Sequence, residues 1–212
     1  MLALSYWILE QAFLRRLLFL GGFLAGLCYL LYFTGVLEAR AMYLLFLSLF
    51  ILLASFVQVA VQSYLFSPGM MELILVRPLS RSRLFLGLET GQGLFALGAS
   101  LLPWVFPTWW NVEKALALAI SMVALQVWTL LLLLLVRRRG IVTLLVLLWM
   151  MAHLFMLPHA QAYKTLFLVL PSPYELVLPE HPIGGYIVSE FFSALVANVG
   201  IWCYIYTRKE WG

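Results

Sequence analysis

Residues 115–139 read ALALAISMVALQVWTLLLLLLVRRR, an uncharged run over 115–136 followed at once by Arg137, Arg138 and Arg139. A helix over that run rises about 33 Å at 1.5 Å per residue, enough to cross a hydrocarbon core about 30 Å thick. The arginine triplet then marks the side on which the chain leaves, because Lys and Arg gather on the cytoplasmic face of a membrane. How many other stretches behave like this one, and where the charges between them fall, decides the fold.

The 212 residues are 65% hydrophobic and 10% charged, with a mean hydropathy of +1.02. Soluble domains are about half apolar and about a quarter charged. No soluble core of this size buries so much apolar surface, so lipid must be part of the solvent. Six stretches are predicted to span: 17–37, 41–66, 84–106, 115–136, 140–158 and 186–207. With a cytoplasmic N-terminus, Arg15, Arg16, Arg77, Arg81, Arg83, Arg137, Arg138, Arg139, Arg208 and Lys209 fall inside. Only Arg40, Lys114 and Lys164 fall outside, a bias of ten against three that favours this orientation. Both termini are then cytoplasmic, and the expected location is the cell (inner, cytoplasmic) membrane. Residues 1–16, MLALSYWILEQAFLRR, carry their positive charge after the apolar run, the reverse of a secretory signal. They read as an amphipathic elbow helix lying in the interface, with Tyr6 and Trp7 at headgroup depth.

Of the outer connections, 38–40 is a minimal turn, and 107–114, PTWWNVEK, carries a Trp pair suited to an interfacial belt. The long one, 159–185, is broken by Pro171, Pro173, Pro179 and Pro182 into apolar pieces too short to span. It reads as a broken, half-inserted helical segment on the outer face, ending in a Gly184–Gly185 hinge. The cysteines, Cys28 and Cys203, sit inside apolar stretches as small core- or lipid-facing residues.

Polar residues within spans need a partner or a wet cavity. Ser48, Ser55, Gln58 and Gln62 follow at spacings of seven, three and four, which places them on one helical face. Glu89 and Gln92 lie one turn apart in the third span, at a depth similar to Gln62. Two readings stay open: hydrogen bonds that glue the second and third spans together, or a translocation pathway lined by the stripe. Glu190, Ser193 and Ala197 form a comparable face in the sixth span. Gly22 and Gly26, and Gly87 and Gly91, have the spacing that favours close helix approach.

The remaining feature is the cytoplasmic loop 67–80. Ser67 and Pro68 are suited to open a short helix, and the residue before Pro78 closes it. Met70, Met71, Leu73 and Leu75 are then available to a partner. The stretch 71–87, MELILVRPLSRSRLFLG, resembles the intracellular loop of ABC-2 type transporter permeases, where a Glu-Leu pair precedes an Arg-Pro-x-Ser-Arg run leading into the third span. Glu72, Leu73, Arg77, Pro78, Ser80, Arg81 and Gly87 match. The elbow helix, six spans and broken excursion around LPSPYELV (170–177) are similar to the same family. Met70 and Met71 depart from it, standing where more polar residues are common.

The resemblance implies an all-α integral membrane fold over 1–212. It also implies a permease subunit of an ATP-driven exporter, dimeric with a second copy or a homologue. Met70, Met71, Glu72, Leu73, Arg77, Pro78, Ser80 and Arg81 would couple it to separate ABC-type ATPase subunits, which would bind ATP and Mg. No nucleic-acid partner is expected. The chain itself carries no phosphate-binding G-x-x-x-x-G-K-[ST] motif; GLETGQG (87–93) lacks the Lys. No cofactor, metal site or catalytic residue is expected, since His153, His159 and His181 are scattered. The alternatives are a haem-export-like permease of cytochrome c maturation and a non-transporting scaffold subunit. An intramembrane serine protease using Ser100 and His153 is disfavoured, because Leu101 replaces the expected Gly and nothing supplies an oxyanion hole.

Overall fold

The computed structural model describes residues 14–65, 81–108, 110–136, 138–156, 169–173 and 183–207. Among these there is no strand. Six α-helices follow in order: α1 (Leu14–Phe33), α2 (Ala39–Leu65), α3 (Arg81–Leu101), α4 (Val112–Val136), α5 (Arg139–Met156) and α6 (Ile183–Thr207). A 3₁₀ turn, Leu102–Val105, extends α3. Four stretches are long and apolar enough to cross a membrane: Arg16–Phe33, Ala39–Ala60, Val112–Val136 and Ile183–Tyr204. This much marks a helical membrane protein. The apolar parts of the other two helices are shorter, Gly93–Val105 and Gly140–His153.

Local chemistry sets the helix ends. The first helix stops at Phe33, short of the predicted boundary at residue 37, because Gly35 takes a left-handed φ of 73°. Val36 N–H then bonds the Leu31 carbonyl at 3.0 Å and Gly35 N–H the Tyr32 carbonyl at 3.0 Å. These two bonds make a Schellman cap, which satisfies carbonyls that lipid cannot. Asn111 opens α4: its Oδ1 accepts the Lys114 N–H at 2.8 Å, and Glu113 places an anion at the positive end of the dipole. Pro103, which has no N–H, sits where α3 tightens into its 3₁₀ turn. Gly184 and Gly185, expected in a hinge, are helical in the first turn of α6.

An aromatic cluster fixes the direction of the first four helices. Phe106 is buried and stacks on Tyr29 of α1 at 5.1 Å, while Phe46 and Tyr43 of α2 lie at 4.7 and 6.1 Å. Tyr29 also donates to the Val105 carbonyl at 2.9 Å, and Lys114 of α4 lies 5.7 Å over the Tyr43 ring. Here α1 and α3 are ending while α2 and α4 are beginning, so successive helices alternate in direction. With its 3₁₀ turn, α3 rises about 40 Å, so it runs the length of its neighbours in the bundle. Helix α4 packs against α2, α3, α5 and α6 and is the centre of the bundle. Its small residues, among them Ala115, Ala117, Ala119 and Ala124, are buried and let neighbours approach closely.

The elbow helix (apart from the start of α1), the 67–80 loop and most of 159–185 lie outside the described residues. Among the described residues nothing packs on the paired glycines of α1. Gly22 and Gly26 are exposed with nothing near a Cβ position, whereas a Cβ on the adjacent Gly21 would meet Leu102 and lie 3.3 Å from Phe50. Leu102 can turn from one methyl but not from a larger group. Gly21→Leu is therefore expected to cost about 1–3 kcal/mol by overpacking. Gly22→Ala should stay within about 0.5 kcal/mol of the parent. Thermal denaturation of the purified protein in detergent measures both, and equal midpoints would contradict the α1 packing.

Candidate functional site

Two polar seams run through the bundle, and both involve α4. The first joins α2 to α4. Gln58 Nε2 donates to the Met122 carbonyl at 2.6 Å, and Gln62 Nε2 to the Gln126 carbonyl at 2.8 Å. Both steps advance four residues on each helix, so the two helices run parallel, as alternation requires. Ser55 lies on the same buried face and bonds back to the Ile51 carbonyl at 2.7 Å, while Ser48 is half-buried. The sequence stripe is therefore one face, but its described partner is the α4 backbone rather than α3. Glu89 and Gln92 fall on α3, and their side chains lie outside the described residues, as does that of Arg81. Met70, Met71, Glu72, Leu73, Arg77, Pro78 and Ser80 lie there too.

The glutamines use only their amide nitrogens in this ladder. The Oε1 atoms of Gln58, Gln62 and Gln126 and the Oγ of Ser121 are buried and accept no hydrogen bond. Four acceptors without donors on neighbouring turns give this seam a capacity for water or a polar solute. Gln126 and Ser121 complete it, and sequence reasoning passed over them. Their signal is present in the sequence, as isolated polar positions of an otherwise apolar run.

The second seam holds a break in the helical framework. Val169–Pro173 is described apart from its flanks, and Pro171, Ser172 and Pro173 are buried. Non-helical backbone at membrane depth persists only where protein satisfies it. Two prolines remove two N–H groups, leaving the Ser172 amide between them as the donor that must be answered. Glu190 answers it: Oε1 accepts the Ser172 N–H at 2.6 Å and the Ser172 hydroxyl at 2.8 Å. The carbonyls are met as well. Trp149 Nε1 donates to Pro171 O at 2.8 Å, and Ser193 Oγ donates to Val169 O at 2.7 Å while accepting Trp128 Nε1 at 3.0 Å. Glu190 and Ser193 lie about 10 and about 15 Å along α6 from its start, so the segment dips well inside the bundle.

Glu190, Ser193 and Ala197, grouped from sequence as one face, are all buried. What sequence could not supply was the object of that face, namely Ser172 and the indoles Trp128 and Trp149. His153 is fully buried and stacks on Trp149 at 5.8 Å with 12° between planes. Ser100 lies in the last turn of α3 and its hydroxyl donates to the Leu97 carbonyl at 2.8 Å. Among the described residues no three His, Cys, Asp or Glu side chains gather as a metal site. No family model, curated protein or solved structure matches this chain.

The clamp can be tested directly. Glu190→Leu strands the buried Ser172 N–H and hydroxyl and should cost about 1–3 kcal/mol, whereas Glu190→Gln keeps a carbonyl oxygen and should lose less than half of that. Denaturation midpoints of the two variants measure the difference. Equal losses would show that Glu190 does not act as an acceptor for the segment.

Proposed function

We propose that this chain is the membrane-spanning permease subunit of an ATP-driven ABC-2 type exporter, acting as a dimer with separate nucleotide-binding subunits. The observation that carries the reading is the resemblance of residues 71–87 to the coupling loop of that family. It sits between α2 and α3, where the family places it. The alternating helices and the buried broken segment before the last helix support it. In this reading all six helices cross the cell membrane, both chain ends face the cytoplasm, and the Phe106 cluster lies at the outer end.

The mechanism follows from how the helices are tied. ATP binding and hydrolysis belong to the partner chain, which pushes on the loop between α2 and α3. In sequence, residues 66–80 join the end of α2 directly to the start of α3. A displacement of α2 reaches α4 through the Gln58 and Gln62 bonds, and α4 reaches α6 and the broken segment through Trp128 and Ser193. The seam of unanswered Gln58, Gln62 and Gln126 oxygens forms the polar wall of the pathway, and the segment at Ser172 forms its outer closure. Hydrogen bonds of this kind are worth about 0.6 kcal/mol on average in membranes, weak enough to break and re-form in each cycle.

Coupling then depends on apolar docking by Leu73 and charge complementarity at Glu72 and Arg77. Removing a docked anchor costs about 2 kcal/mol, roughly thirtyfold in affinity. The double variant Glu72→Ala with Leu73→Ala should insert normally yet lose co-purification with its ATPase, or the stimulated ATP turnover. Normal insertion with undiminished binding and stimulation would contradict the proposal.

A further inference from the structure

A groove of about 370 Å³ opens on the side of the bundle between α3, α4 and α6, and none of its lining residues belongs to either polar seam. Its floor is made of small residues, Gly93, Ala119 and Ala194, and Gly93 has nothing within 4 Å of a Cβ position. Its rims are exposed apolar side chains, among them Leu97, Phe191 and Leu195. Of the ten described lining residues only Asn198 has a polar side chain, and its Oδ1 is buried with no hydrogen-bond partner. Asn198 lies about 22 Å along α6 from one end and about 14 Å from the other, near mid-membrane.

An unanswered carboxamide in hydrocarbon is unfavourable, and lipid tails cannot answer it. Size then selects the occupant. Even eight residues of helix occupy about 1,000 Å³ at a diameter of about 10 Å, so a second chain cannot seat a helix in this groove. Its volume lies at the small end of ligand sites, about 300–1,000 Å³, and its mixture of apolar wall with one polar group is theirs too. We infer that the groove binds a single-chain amphiphile: an unbranched alkyl chain along Gly93, Ala119 and Ala194, with a hydroxyl donating to Asn198. The carboxamide torsion is soft, so a small turn brings Oδ1 to the ligand. The inference stands apart from the permease reading, since neither the 71–87 loop nor the Ser172 segment enters it.

The test uses the purified full chain in lipid nanodiscs with a photoactivatable medium-chain alkanol, its alkyl chain carrying a diazirine. Labelling should map to α3, α4 and α6 around the groove. Gly93→Leu fills the floor and should lower labelling at least tenfold. Gly22→Leu, at an equally open glycine outside the groove, should leave it unchanged. Asn198→Leu should weaken labelling by the alkanol about fivefold, the worth of one hydrogen bond, and leave the matching alkane unaffected. Where Gly93→Leu fails to fold, Asn198→Leu at its half-buried position carries the test. Labelling spread evenly over the lipid-facing surface, or undiminished in both groove variants, would overturn the inference. So would a loss of oligomer mass in Gly93→Leu, which would make the groove the seat of a second copy.

Discussion

Hydrocarbon offers no hydrogen bonds, and the arrangement of this chain follows from that fact. Each helix satisfies its own backbone, so the demanding places are those where a helix ends or breaks. At Gly35 the chain answers with a Schellman cap made from its own amides. At Val169–Pro173 it answers with side chains from three helices: Glu190 and Ser193 of α6, Trp128 of α4 acting through Ser193, and Trp149 of α5. One buried oxygen of the Glu190 carboxyl group accepts both donors of Ser172, the amide between the prolines and the hydroxyl. The break thereby becomes a fixed part of the bundle, and α4, α5 and α6 are tied together around it.

The same constraint explains why α4 is central. Its alanines give neighbouring helices close contact, which in lipid is the main source of association. Its carbonyls at Met122 and Gln126 accept the Gln58 and Gln62 amides, turning part of the α2–α4 contact into a register-setting ladder. A slip of α2 along α4 breaks both bonds at once, so register is specified by polar groups in an otherwise smooth apolar interface. The unanswered oxygens of that ladder are its chemically distinctive feature, and they are the reason to regard the seam as more than glue.

Much of the fold was legible because spanning helices announce themselves by length and apolarity. Six described helices lie close to the stretches read as spans, four of them long and apolar enough to cross a membrane, and one end that ran long, at residue 37, did so because an apolar sequence hid the Thr34–Gly35 stop. Partner choice was not legible. Periodicity placed Ser55, Gln58 and Gln62 on one face, yet a helical wheel does not say which neighbour that face meets. Chain adjacency pointed to α3, whereas parallel packing gave α4. The prolines of LPSP announced a broken segment, and Glu190 an intramembrane acid. Their meeting is a contact across eighteen residues that no local pattern encodes.

The clamped break is the centre of this account, and amide hydrogen exchange at Ser172 tests it most directly. Within Pro171–Pro173 that amide is the only one, so its exchange is not diluted by neighbours. The account predicts protection comparable to amides in the middle of α4, since both the amide and its Glu190 acceptor are sealed inside the bundle. Exchange as fast as in an open loop would show that the segment is not held there, and the seam built on Glu190 would fall with it.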